Sequence, residues 1–314
     1  MICWLVASAL LTSATPAPQS PVEEPVELSV PNVVLRGTLL RPSGEGPHVV
    51  ALIVSGSGPT DRNGNSAMLP GHNNSLKMVA EALAAAGIAS LRYDKRGIGA
   101  STSTGGNEAD LRFTTFADDA AAFIRMLKRD KRFTKVVVIG HSEGALVGTM
   151  AARQADADGV VLLAGAGRPI ADVIREQLKA GAPHLAEPAE RIIVELLAGR
   201  TVADVPASLQ MLFRPSAQPY MISWLGVDPR AEIARLRVPR LVIHGTTDVQ
   251  TSVADARRLA EPESVRLEII EGMNHVLKRV SGTAQEQMAS YSDPSLPLVE
   301  ELMPIIVRFI ESLR

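Results

Sequence analysis

The five residues Gly140-His141-Ser142-Glu143-Gly144 constrain this chain more than any other stretch. They follow an apolar, β-branched run at 136–139 and open a small-residue run at 145–152 that has helical character. Strand, sharp turn and helix in that order force the serine into a strained backbone conformation. The flanking glycines carry no Cβ, so neighbouring backbone can pack against them. Ser142 Oγ is then expected above the sheet, with the start of the helix beneath it. An inert glycine-rich turn would have the same five letters; the strand before it and the helix after it give the pattern its meaning.

The rest of the chain repeats that alternation. A hairpin is expected over residues 27–41, with Pro31-Asn32 as its turn. Then come an apolar strand from Val49, a helix over 78–86, a strand over 88–92, a helix over 116–128, and the strand and helix around Ser142. Strands separated by helices give a mostly parallel, doubly wound α/β sheet. The rhythm breaks after Gly167. Until about Leu236 helical periodicity replaces it, at 171–180, 188–198 and 219–225. It resumes at Pro239 and ends in an amphipathic helix over 298–313. The expected organisation is a core of residues 20–166 and 237–314, interrupted by a helical cap at 167–236. Residues 1–19 form an export signal and the start of a Pro- and Glu-rich linker that runs to Pro25.

A serine hydroxyl needs a base to take its proton and a carboxylate to hold that base in the right tautomer. Three histidines follow Ser142: His184, His244 and His275. His275 lies on a loop after the strand-like run 265–270, where reactive groups of open α/β sheets gather. His244 falls inside an apolar strand and reads as a packing residue, and His184 falls in the insertion. Asp248 follows the strand 240–244 and is the expected acid, although an aspartate between strand and helix also suits a cap or an Asx turn. The competing loop, Ala164-Gly165-Ala166-Gly167, holds no acid, and Glu271 is too close to His275 along the chain to be preferred.

Developing negative charge on a carbonyl oxygen calls for two backbone N–H groups. One is expected from Glu143, the residue after the serine. The other is expected from the glycine-rich loop 55–65, with Ser57 as first choice and Gly58 next. A phosphate-binding loop is the alternative reading there, and it is disfavoured because the Lys and Ser/Thr of that motif are missing.

Composition narrows the partners. A net charge of −2 with no basic run argues against nucleic acid or an anionic membrane surface. The six histidines have no paired spacing for zinc, and Cys3 is the sole cysteine, so no metal, cofactor or disulfide framework is expected.

With these residues in view, the chain resembles the α/β-hydrolase superfamily, in its bacterial esterase and serine-aminopeptidase-like branch. The likeness is carried by the loop 55–65, by Tyr93-Asp94-Lys95-Arg96-Gly97-Ile98-Gly99-Ala100-Ser101, by 140–144, by Val238-Pro239 leading to His244-Gly245-Thr246-Thr247-Asp248, and by 272–275. The loop 94–101 matches one that braces the site and is assigned no chemistry. The oxyanion strand ends in Ser55-Gly56 where lipases carry His-Gly. The resemblance implies a cofactor-free serine hydrolase acting on a small-molecule ester, with Ser142, His275 and Asp248 as its triad. Aminopeptidase, thioesterase and acyltransferase share that triad, and a silent binding module could share the scaffold. An amine clamp would draw on the cap acids Glu187, Glu190 and Glu195. Their spacing sets them off from an apolar face of Ala189, Ile192, Ile193, Leu196 and Leu197, so an ester substrate is preferred. Met211, Phe213, Tyr220, Met221, Trp224 and Leu225 are candidates for either cap core or pocket wall.

The apolar run 1–11, ending in small residues, reads as a secretory signal too short to span a bilayer. The mature protein is therefore expected to be secreted or periplasmic, without stable membrane insertion. In a secreting bacterial host, N-terminal sequencing should find a mature chain that lacks residues 1–17. Soluble cytosolic protein that retains Met1 would overturn this.

Overall fold

The computed structural model describes residues 20–44, 46–101, 106–281 and 283–313. The expected export segment lies outside them. Strand β1 (Val22–Val30) pairs antiparallel with β2 (Val33–Arg41) across a turn in which Asn32 takes φ 66°. Then follow β3 (His48–Val54), helix α1 (Ser75–Ala85), β4 (Ala89–Tyr93), α2 (Phe113–Arg129), β5 (Phe133–His141), α3 (Glu143–Gln154) and β6 (Gly159–Leu163). Five helices come next: α4 (Ile170–Gly181), α5 (Pro183–Leu197), α6 (Gln210–Phe213), α7 (Gln218–Trp224) and α8 (Pro229–Ala234). The chain ends with β7 (Arg240–Gly245), α9 (Val253–Leu259), β8 (Val265–Ile270), α10 (Ala284–Ser290) and α11 (Leu302–Glu311).

The eight strands form one sheet in the order β1-β2-β4-β3-β5-β6-β7-β8. The first two pairings are antiparallel and the other five parallel. Alternating residues explain the two covered faces. On β3, Val50, Leu52 and Val54 pack with α2 and α3, while Val49, Ala51 and Ile53 pack with α1 and α11. A strand buried on both sides must be apolar throughout, which is why the runs on β3, β5, β6 and β7 are nearly unbroken.

One expectation needs correction. The Pro-rich stretch does not run as a linker to Pro25: residues 22–25 are the start of β1, paired with 38–41. Proline is tolerated there because β1 is an edge strand. Glu23 and Glu24 meet Arg92 and Arg41 across the sheet, contacts that composition does not disclose. Helix α10, which follows the His275 loop, has no counterpart in the periodic pattern.

Asp94 ties together the loops above β3 and β4. Its buried carboxylate accepts from the Arg62 backbone N–H at 2.8 Å, the Arg62 guanidinium at 2.7 Å and the Ala100 N–H at 2.8 Å. The Ser101 hydroxyl donates to the Asp94 carbonyl and accepts from the Arg36 N–H of β2. Asp94→Ala strands a largely buried guanidinium and should cost about 3 kcal/mol. A urea-unfolding midpoint equal to that of the wild type would disprove the bracing role.

Candidate active site

The turn after β5 is built by close approach. A Cβ on Gly140 would stand 2.1 Å from the Gly144 carbonyl oxygen, and one on Gly144 would stand 2.3 Å from that of Val54. With both positions bare, α3 starts directly against the ends of β3 and β5. Ser142 takes φ 56° and ψ −122°, a conformation L-residues rarely adopt, and its N–H donates to the Leu163 carbonyl at 2.9 Å. Its side chain opens onto a cavity of about 1210 Å³.

Asp248 and His275 come together from the ends of β7 and β8. His275 Nδ1 lies 2.8 Å from Asp248 Oδ2. The other oxygen, Oδ1, accepts from the Gln250 N–H at 2.7 Å and the Thr251 N–H at 3.1 Å. Asp248 therefore makes an Asx-type turn and holds the histidine at once; the cap of α9 is Ser252. Burial alone would raise the Asp248 pKa. The charge and hydrogen bond of His275, the nearby His244 and the Thr251 N–H outweigh it and hold the pKa at about 2. With Asp248 an acceptor, Nδ1 carries the His275 proton and Nε2 is left as the basic nitrogen.

Two other histidines stand around this pair. His141 precedes Ser142, and its Nε2 donates to the His275 carbonyl oxygen at 2.7 Å, joining the base to the serine turn. Burial and the neighbouring His275 lower the His141 pKa to about 4, so its ring is neutral at ordinary pH. His244 is fully buried and more than packing: Nδ1 donates to the Gly245 carbonyl, and Nε2 lies 3.0 Å from Thr251 Oγ1, which in turn reaches Asp248 Oδ2. His184 is exposed on α5, and Glu271 is exposed with its carbonyl bound by Arg279. Neither takes part.

Ser57 and Glu143 both border the cavity beside Ser142. Neither backbone N–H has a protein acceptor among the described residues. The Glu143 side chain turns inward, to Lys95 Nζ at 3.1 Å and the Tyr220 hydroxyl at 3.0 Å. Lys95 also donates to the Gly56 carbonyl. Sequence alone does not single out Lys95, because it lies in a motif whose glycines and aspartate have a structural explanation. Tyr220 was legible only as an aromatic of the insertion.

The cavity runs beneath the five helices between β6 and β7. Phe213 and Leu225 lie in the separate core of those helices, with Ile192, Ile193 and Leu196. Met211, Tyr220, Met221 and Trp224 face the cavity, joined by Ile174 and Leu178 of α4. Leu197 departs from the expected apolar face of α5 and is exposed. The acids Glu187, Glu190 and Glu195 pair with Arg191, Arg175 and Arg200 on the outside.

Because His141 resists protonation, stability should depend on acid. An unfolded histidine takes up its proton near pH 6.5, whereas His141 does so only near 4. Between those values the unfolded chain binds more protons, so stability falls as the pH is lowered from about 6.5 to about 4. Asp248, held near 2, adds a further loss below about pH 4. Between about pH 7 and about pH 4.5 the wild type should lose on the order of 2–3 kcal/mol more than His141→Gln. Equal urea-unfolding losses in the two proteins would exclude His141 as the source.

Residues 69–279 match the family model described as serine aminopeptidase, S33. Over 266 residues the chain is 30% identical to Esterase EstD of Thermotoga maritima; the match covers 82% of this chain and 61% of that protein's length. Among solved structures, the Pyrococcus furiosus esterase Pf2001 superposes with a TM-score of 0.61 at 18% identity, covering 96% of each chain. Est1E from Butyrivibrio proteoclasticus superposes with a TM-score of 0.58 at 17% identity, covering 91% of this chain and 99% of the other. The sheet order, the turn at Ser142 and the family match agree: the chain belongs to the serine aminopeptidase S33 family of α/β hydrolases.

Proposed function

We propose that the chain hydrolyses carboxylic esters through an acyl-enzyme on Ser142. The observation that carries this reading is the buried Asp248–His275 pair, with the His275 backbone tied by His141 to the strained turn that presents Ser142. Ser142 Oγ attacks the ester carbonyl carbon while its proton passes to His275 Nε2. Asp248 stabilises the resulting imidazolium through Nδ1–H. The Ser57 and Glu143 N–H groups receive the oxyanion. The tetrahedral adduct collapses, the carbon–oxygen bond to the alcohol breaks, and the imidazolium gives its proton to the departing oxygen. Water then attacks the acyl-enzyme with His275 again as base, releasing the acid and restoring Ser142.

The walls of the cavity support an ester with a short to medium acyl chain. Residues 167–236 act in this reading as the cap that supplies the apolar side, through α4, α6 and α7. Such walls suit an acyl chain, held by contact rather than by charge. The acids considered for an amine clamp are occupied by arginines outside the cavity. Within it, Asp119 is held by Arg96, and Glu143 by Lys95.

The family description favours one second reading, aminopeptidase. Its amine anchor would have to be an exposed acid bordering the cavity, Asp110 or Asp118.

Three substitutions and one substrate comparison test the proposal. Ser142→Ala and His275→Ala should abolish ester turnover in folded protein. Asp248→Asn should lower kcat by on the order of 10⁴, because the imidazole loses its tautomer control. p-Nitrophenyl esters of short and medium acyl chains should be cleaved, and aminoacyl anilides with a free amine hardly at all. Faster cleavage of the anilides would replace the ester reading with the aminopeptidase one.

A further inference from the structure

We infer that Lys95 is the positioning residue of the oxyanion hole, fastening the Gly56–Ser57 donor peptide and the side chain of the second donor residue, Glu143, with one buried ammonium group and cancelling the charge of that carboxylate. The inference rests on the ester-hydrolase reading and goes beyond the triad. Lys95 is 3% exposed and the Glu143 side chain 4%, so their ion pair is shielded from solvent. One Lys95 N–H goes to the Gly56 carbonyl and another to Glu143 Oε1. The ammonium also lies 5.4 Å from the Phe116 ring centroid.

The geometry of a trans peptide turns this into a statement about catalysis. The carbonyl oxygen of Gly56 and the N–H of Ser57 belong to one planar unit and point in opposite directions. Fixing the oxygen on Lys95 therefore aims the Ser57 N–H away from Lys95. The unit borders the serine: a Cβ on Gly56 would stand 3.1 Å from Ser142 Cβ. The second donor peptide is held on its carbonyl side by the Ala145 N–H, 3.0 Å from the Ser142 oxygen, while the side chain of its donor residue, Glu143, ends on the same ammonium. Tyr220 of α7 completes the group. Burial and the Glu143 carboxylate raise its pKa well above the usual range, so its hydroxyl stays protonated and donates to Glu143 Oε2.

The pair also settles an electrostatic problem. A carboxylate on the residue that donates to an oxyanion opposes the charge that develops there. In a buried site that repulsion is poorly screened. The Lys95 ammonium neutralises Glu143 and leaves the hole free to favour negative charge. Removing Lys95 should then harm the transition state far more than the bound ester, whose carbonyl oxygen carries no full charge.

The test compares the wild type, Ser142→Ala, Lys95→Met and the double variant Lys95→Met/Glu143→Gln. Each is measured for kcat and KM on a p-nitrophenyl ester and for Ki of an aryl trifluoromethyl ketone, which forms a tetrahedral adduct with a serine nucleophile. Lys95→Met should lower kcat by about 10²–10³, the size of losing an oxyanion donor, with KM within about threefold. The ketone Ki should rise by a similar factor. The double variant has no buried unpaired charge, so it remains measurable should Lys95→Met fail to fold. Its kcat should recover in part yet stay at least about tenfold below wild type, because Gly56 is still unanchored. Wild-type kcat and Ki in the double variant would overturn the inference while leaving the hydrolase reading standing, as would a loss confined to KM. Turnover retained by Ser142→Ala would overturn both.

Discussion

At the ends of β3 and β5 the backbone of Gly144 lies against the carbonyl oxygens of Val54 and Ser55, closer than any side chain permits. The other features at this end of the sheet depend on that contact. It brings the first turn of α3 beside the loop that carries Gly56 and Ser57. It leaves Ser142 as the only residue between strand and helix, which forces its φ to 56°. Such a backbone costs on the order of 1–3 kcal/mol and persists only where the surroundings over-determine it. Here they do: β5 is paired on both sides, and α3 buries most of its length against α2 and the sheet.

The groups around the turn are arranged so that one charge can appear without competition. His141 and His244 are buried and their protonation is disfavoured, so each serves as a neutral hydrogen-bonding partner. Asp248 is the reverse case, kept ionised despite burial by the donors that surround it. The site therefore presents His275 with one fixed anion on its Nδ1 side. Lys95 and Glu143 form a closed pair rather than a field.

Much of this was legible in the chain. The five-residue turn, the strand-end positions of Asp248 and His275, and the break in alternation after Gly167 all follow from periodicity and turn chemistry. What was not legible is instructive. Residues 22–25 have the composition of a linker, yet they complete an edge strand because β2 offers them a partner. Leu197 fits the apolar stripe of α5 by spacing, but the stripe is narrower than its pattern and ends at Leu196. Lys95 was hidden by its setting, since a lysine between an aspartate and an arginine in a glycine-rich loop looks solvated. Only the three-dimensional approach of Gly56, Glu143 and Phe116 shows that it is buried. Spacing along the chain records which face of an element is apolar, but not which distant polar groups will saturate one buried cation.

Tyr220 carries this last point into the cap. It stands within 6.1 Å of Phe113 and 5.7 Å of Phe116 by ring centroid, and within 5.5 Å of Trp224. The phenol thus belongs to an aromatic cluster shared by α2 and α7, while its hydroxyl reaches Glu143 beside the serine. An aromatic side chain suits both tasks, because its ring gains from apolar contact and its hydroxyl must find a partner when buried. Helix α7, which borders the cavity, is in this way hydrogen-bonded to the side chain of the residue that follows Ser142. A shift of α7 large enough to break that bond would leave one oxygen of the largely buried Glu143 side chain without its donor. The cost of an unsatisfied buried acceptor, about 1–3 kcal/mol, opposes such a shift. Tyr220 therefore ties the cavity wall to the side chain beside the serine turn.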